Sequence, residues 1–76
     1  TVFNIKDIRQ ELIIMTLNEI LKLIDEAGYN STNQLVGYLI TGDITYITSY
    51  GNARKKISKF NRSEILMAII NSYRGN

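Results

Sequence analysis

The chain has 76 residues, a net charge of +2 and an apolar fraction of 45%, and it contains no cysteine, histidine or proline. This composition is typical of one small folded domain, and it excludes a disordered tail, a disulfide scaffold and a Cys–His or Ser–His nucleophile pair. No apolar run approaches the roughly 18 residues that a membrane span needs, so we expect no membrane insertion.

One long helix is predicted over residues 4–27, because Ile13, Leu17, Ile20 and Ile24 recur at helical spacing. Gly28 ends this helix, since glycine adopts the left-handed conformation of a C-terminal cap without a steric clash. Five more apolar residues widen its buried face: Leu12, Ile14, Met15, Leu21 and Leu23.

So broad an apolar face is difficult for 76 residues to cover, because a chain of this size buries only about 60% of its unfolded surface. We therefore expect a second copy of the chain to cover part of it, since broad exposed apolar patches mark interfaces. The alternative is a central helix that the rest of the chain surrounds.

A second helix is predicted after residue 30, because Asn30 or Ser31 can cap its first turn. Ser31 and Gln34 also have the spacing of a reciprocal capping box. Gly37 falls within this helix, and we expect the close approach of another helix to explain it.

A short third helix is predicted over 44–48, where Gly42 ends the second helix and Asp43 caps the third. The alternative is a strand, because residues 45–48 are Thr, Tyr, Ile and Thr, which favour β structure.

Two further helices complete the chain. The fourth covers 51–60 with Asn52 as its cap, and the fifth begins at Asn61, where Glu64 fits a capping box. The inward-facing residues of the fourth helix are predicted to be Ala53, Ile57 and Phe60.

The sequence therefore predicts an all-α fold: one compact five-helix domain over 1–76, with a long N-terminal helix, as a homodimer. The chain begins with threonine rather than methionine, which leaves room for a short preceding tail.

Charge is distributed unevenly along the chain. Residues 1–48 have three cations against six carboxylates, a net of −3, whereas residues 49–76 have six cations against one carboxylate, a net of +5. We expect four cations of the fourth helix to face water, Arg54, Lys55, Lys56 and Lys59, and with Arg62 they form a basic band on this helix and its edge. A basic band of this kind favours an anionic partner, and the alternative is an ordinary solvated helix face.

The run GYNSTNQLVGYLITGDITYI at 28–47, followed by AR at 53–54 and RSEI at 62–65, resembles the IreB/ReoM family of small regulators from low-GC Gram-positive bacteria. With the flanking helices, the resemblance covers nearly the whole chain. Ser31 and Ile44 stand where the family usually has proline, and Thr48 and Ser49 replace a further proline and an arginine. Proline suits the first turn of a helix, so its loss costs preorganisation and not the fold.

The resemblance implies a cytoplasmic, all-helical homodimer without enzymatic activity or cofactors. It implies phosphorylation by a membrane Ser/Thr kinase with PASTA repeats, reversed by a phosphatase. The unmodified protein would favour Clp-protease degradation of the enzyme that commits sugar nucleotides to peptidoglycan, through the protease or an adaptor. Phosphorylation would lift that effect and raise cell-wall synthesis and β-lactam tolerance.

The resemblance also assigns candidate site residues. Thr1 is the threonine nearest to the family's phosphorylation site, and Arg54 and Arg62 match arginines of its regulatory function. With Lys55 and Lys59 they make up the candidate partner-binding site. The alternative function is a helix-turn-helix nucleic-acid-binding module that uses the basic helix 52–62, although its many lysines favour nonspecific contacts over base recognition.

Overall fold

The computed structural model describes residues 5–75, with the side chain of Lys6 left out. Four α-helices follow one another: α1 (Ile5–Glu26), α2 (Ser31–Thr41), α3 (Ala53–Ile57) and α4 (Arg62–Tyr73). Two single 3₁₀ turns, Ile44–Tyr46 and Tyr50–Asn52, connect α2 to α3. The all-α prediction is confirmed, and no strand occurs between residues 5 and 75.

The short third helix predicted over 44–48 is a single 3₁₀ turn, so four α-helices stand where five were expected. Helical structure stops at Ile47, whose backbone is extended with φ −99° and ψ 131°. The next amide, that of Thr48, donates to the side chain of Gln34 and not to a preceding carbonyl. A contact from α2 therefore replaces the continuation of the helix.

Helix α1 is the central element of the core, because it packs against α2, α3 and α4. Its predicted apolar row is confirmed as buried: Ile13, Leu17, Ile20 and Ile24. Around this row lie Tyr38, Ile47, Ala53, Ile57, Phe60, Ile65 and Ala68. Each fully buried isoleucine contributes about 1.5–3 kcal/mol relative to an exposed one, so this cluster is the main source of stability.

Polar contacts add to the packing of α1 against α4. The Arg9 Nε atom lies 2.6 Å from Glu64 Oε2, and the Arg9 guanidinium lies 5.4 Å from the centroid of the Phe60 ring. Asn71 Nδ2 donates to Gln10 Oε1 at 2.9 Å. Arg9 is half exposed, so its ion pair contributes little to the free energy of unfolding and mainly fixes how α1 and α4 are oriented.

Most predicted helix caps are confirmed. Asn30 accepts from the Asn33 amide at 3.0 Å, Asp43 from the Thr45 amide at 3.0 Å, and Asn61 from the Glu64 amide at 2.8 Å. The Ser31–Gln34 capping box does not form, because Asn30 caps α2 and the Gln34 side chain contacts Thr48 instead.

The predicted cap at Asn52 is wrong. Asn52 occupies the position before α3 but has a left-handed backbone with φ 63°, and its side chain makes no capping hydrogen bond. Gly51 before it is also left-handed, with φ 60°. Two successive left-handed residues turn the chain sharply into α3, and this places Gly51 against Leu23 of α1.

We expect Gly51→Ala to lower the free energy of unfolding by more than Gly28→Ala does. A left-handed backbone costs an alanine about 1–2 kcal/mol at either position. At Gly51 the added methyl group would also lie 2.5 Å from Leu23 Cδ2, whereas nothing lies within 4 Å at Gly28. Overpacking of this kind adds about 1–3 kcal/mol. Urea denaturation of both variants measures the difference, and equal losses would show that Leu23 does not restrict the turn.

Candidate functional site

The chain between α2 and α3, residues 42–50, is called the connecting segment here. It begins at Gly42, the left-handed C-cap of α2 with φ 74°, and returns along α2. The Thr48 amide donates to Gln34 Oε1 at 2.9 Å, close to the start of α2. Ile47 is fully buried in the core. The connecting segment is therefore fixed to α2 at both of its ends.

Side chains within and beside the connecting segment bind its backbone. Thr41 Oγ1 accepts from the Asp43 amide at 3.1 Å, and Thr48 Oγ1 accepts from the Tyr50 amide at 3.2 Å. Asp43 Oδ1 accepts from both the amide and the hydroxyl of Thr45, at 3.0 and 2.6 Å. These two bonds from Thr45, with a smaller effect of the Arg54 charge, lower the pKa of Asp43 below its ordinary value.

The glycine inside α2 accommodates an aromatic ring and not another helix, which corrects the prediction for Gly37. A Cβ atom at Gly37 would overlap the side chain of Tyr46. The Tyr46 ring therefore lies in close contact with α2 at Gly37, and about half of the residue's surface is exposed. Glycine at position 37 makes this close contact possible.

Arg54 does not simply face water, as the sequence predicted. Its side chain is half-buried, and its Nε atom donates to the carbonyl of Ile47 at 2.6 Å. Ile47 is fully buried, and a buried carbonyl without a partner would cost about 1–3 kcal/mol. Arg54 thus stabilises the backbone of the connecting segment at its most buried residue.

Arg62 has a comparable contact at the start of the connecting segment. Its Nη1 atom donates to the carbonyl of Leu39 at 3.1 Å, in the last turn of α2, where carbonyls lack helical partners. Its guanidinium lies against Gly42, where an added Cβ would come within 2.8 Å of Cζ. Both arginines of the candidate site therefore bind backbone carbonyls at or near the connecting segment.

The lysines of the candidate site differ from the arginines. Lys55 and Lys59 are exposed on and just after α3. Lys56 lies 3.3 Å from Glu19 of α1. The structure therefore divides the four predicted partner-binding residues into two arginines that contact the backbone and two lysines that extend into solvent. The predicted phosphorylation site, Thr1, lies outside the described residues.

Sequence reasoning missed Gln34 and Tyr46 as residues of this site. Gln34 was interpreted as part of a capping box, and Tyr46 as a residue of a short helix. The contact from Gln34 spans 14 positions in the sequence, and no local pattern encodes it. Glycine within a predicted helix was the one local signal of the Tyr46 contact, because it indicates a close approach.

Among residues 5–75, no three Asp or Glu side chains lie close enough together to hold a metal ion. Within the same part of the chain, none of the helices combines the length and apolarity needed to cross a bilayer.

The all-helical fold, with the fixed connecting segment and its basic neighbours, places the described residues in the class of small helical proteins. A comparison with family models agrees with this class and narrows it: the model described as IreB regulatory phosphoprotein matches residues 1–74. The chain belongs to the IreB regulatory phosphoprotein family. It is accordingly a regulator that is controlled by phosphorylation.

We expect Arg54→Met to lower the free energy of unfolding by about 1.5–3 kcal/mol, because the buried carbonyl of Ile47 loses a charged donor. Lys55→Met is the matched control on the same helix, and it should stay within about 0.5 kcal/mol of the unmodified chain. Urea denaturation at neutral pH measures both. Equal stability of the two variants would show that the contact from Arg54 to Ile47 contributes nothing.

Proposed function

We propose that this chain is a non-enzymatic cytoplasmic regulator of peptidoglycan synthesis. Its unmodified form promotes Clp-dependent degradation of the enzyme that commits sugar nucleotides to peptidoglycan. Phosphorylation by a membrane Ser/Thr kinase with PASTA repeats, reversed by a phosphatase, relieves this effect and raises cell-wall synthesis and β-lactam tolerance. The match to the IreB regulatory phosphoprotein family over residues 1–74 is the observation that carries the proposal.

Thr1 is the phosphate acceptor in this proposal. It precedes α1, and it is the threonine nearest to the family's modified position in the sequence resemblance. A phosphate group would add about −1.5 to −2 charges there. Residues 49–76 have a net charge of +5, so the chain itself offers an electrostatic partner for the modified residue.

The partner-binding site of this proposal consists of Arg54, Lys55, Lys59 and Arg62. Support comes from their positions: Arg54 and Lys55 lie on α3, Lys59 just after it, and Arg62 begins α4. The partner is the Clp protease or an adaptor, together with the target enzyme. Exposed lysines at such a site speed association with an acidic surface more than they strengthen the final complex.

The alternative of a nucleic-acid-binding module is not favoured by the structure. Helix α3 has five residues, Arg54 donates to Ile47, and Lys56 pairs with Glu19. A recognition helix presents several side chains to base edges in the major groove. Here the basic residues around α3 are in part already bound within the protein.

We propose that two copies of the chain pair through the first half of α1. Four apolar side chains there recur at steps of three and four and are at least half exposed: Ile5, Ile8, Leu12 and Met15. Ile8 also lines a groove of about 640 Å³ between α1 and α4. An exposed apolar row beside a groove supports a helix–helix contact with a second copy.

Thr1→Ala should abolish the singly phosphorylated species in the native full-length protein from a kinase-proficient strain under cell-wall stress. The target enzyme should then remain short-lived under that stress. Thr32→Ala, which changes an exposed threonine of α2, is the control and should leave both results unchanged. Intact-mass spectrometry with site mapping, and the half-life of the target enzyme, are the measurements. A phosphate that maps elsewhere, or none at all, would contradict the assignment of Thr1.

Leu12→Glu should convert the dimer to a folded monomer, because a carboxylate in an apolar contact between helices loses its hydration. Ile40→Glu, at an exposed apolar position of α2, is the control and should leave the dimer intact. Sedimentation equilibrium at micromolar concentration, with circular dichroism to verify folding, separates the outcomes. A folded monomer for the unmodified chain would contradict the pairing.

A further inference from the structure

The backbone of the connecting segment is extensively hydrogen-bonded. Seven of its nine amides donate hydrogen bonds. The amides of residues 43, 45, 48 and 50 donate to side-chain oxygens, and those of residues 42, 46 and 47 donate to backbone carbonyls. The Arg54 side chain binds the Ile47 carbonyl in addition. A segment with this many internal bonds is preorganised, so binding a partner would cost it little conformational entropy.

The side chains that the connecting segment presents to solvent are mostly aromatic and hydroxyl-bearing. Tyr46 and Tyr50 are 47% and 49% exposed, and Thr45 and Ser49 are exposed as well. Its one charged residue, Asp43, accepts two hydrogen bonds from Thr45. Protein-binding surfaces are enriched in tyrosine and depleted in charge at their centres. Tyrosine supplies contact area at low entropic cost, and small hydroxyl residues supply adaptable hydrogen bonds.

The charge beside this surface indicates the chemistry of its partner. The Ala53 amide donates to the carbonyl of Tyr50, which joins the connecting segment directly to α3. Helix α3 then carries Lys55, and Lys59 follows it, both exposed to solvent. Two exposed tyrosines on a segment that leads directly to exposed lysines are complementary to a segment that combines apolar residues with carboxylates.

We propose that the connecting segment is a preformed docking surface for an acidic, apolar stretch of a partner protein. Tyr46 and Tyr50 contact its apolar residues and Lys55 pairs with its carboxylates. Gln34 and Arg54 are positioning residues, which act on the partner through the backbone of the connecting segment. This inference rests on the proposed partner-binding function and deepens it, because it moves the contact from the arginines to the tyrosines.

A peptide titration tests the docking surface directly. The probe is a twelve-residue synthetic peptide that alternates glutamate with leucine and tyrosine, and its counterpart has lysine in place of glutamate. We expect only the acidic peptide to shift the ¹⁵N amide signals of residues 43–55 in the full chain. Tyr50→Ala and Lys55→Glu should each weaken binding at least about fivefold. The matched controls Tyr73→Ala and Lys22→Glu, both at exposed positions, should leave binding unchanged.

The positioning residues need a separate readout. Gln34→Ala should weaken peptide binding about fivefold and speed hydrogen exchange at the Thr48 amide, whereas Gln34→Glu, which keeps an oxygen acceptor, should restore both. Gly37→Ala should displace the Tyr46 ring and weaken binding while α2 stays folded, because alanine favours the helix.

Any of three outcomes of the peptide titration would overturn the docking surface: shifts confined to α4, equal binding of the acidic and basic peptides, or no shifts with either peptide. Shifts at residues 43–50 that grow with protein concentration alone would assign the surface to a second copy and would overturn it too. The proposed function fails on different evidence: a Thr1→Ala strain that keeps its phosphorylation control of the target enzyme would contradict it, whatever the peptide does.

Discussion

The conformation of the connecting segment depends on one buried group, the backbone carbonyl of Ile47. Ile47 inserts its side chain into the core while its backbone is extended, so no helix or strand partner exists for its carbonyl. The Arg54 guanidinium fills this need at 2.6 Å. Arginine suits the task better than lysine, because its planar fork can donate from Nε while its other donors remain available. Without this bond, a buried acceptor would oppose the burial of Ile47 itself.

From this contact the arrangement of the connecting segment follows. With Ile47 in the core, Thr48 comes within hydrogen-bonding distance of Gln34, and the Tyr46 ring lies against Gly37. Arg62 binds the Leu39 carbonyl where α2 ends. The result is a short surface without α-helix, whose shape is set by contacts within the chain.

The helices and their limits could be predicted from sequence because their signals are local. Helical spacing identified the buried row of α1, glycines marked helix ends, and Asn30, Asp43 and Asn61 cap as predicted. The prediction of Asn52 as a helix cap was wrong, because asparagine adopts a left-handed turn as readily as a cap. Only the tertiary context decides between the two. The side chains of Gln34 and Arg54 bind backbone atoms 14 and 7 positions away in the sequence, so residue type alone did not predict their partners. The basic band was visible in the sequence, but its division into bound arginines and exposed lysines required the fold.

Hydrogen exchange of the unmodified chain tests the central constraint most directly. We expect the amides of Ile47 and Thr48 to exchange as slowly as those in the middle of α2, because both are bonded next to a buried residue. The Thr48 amide is the decisive signal, since its partner is a side chain and not a helical carbonyl. Exchange of Thr48 at the rate of an unstructured peptide, with α2 still protected, would show that the connecting segment is not fixed in solution.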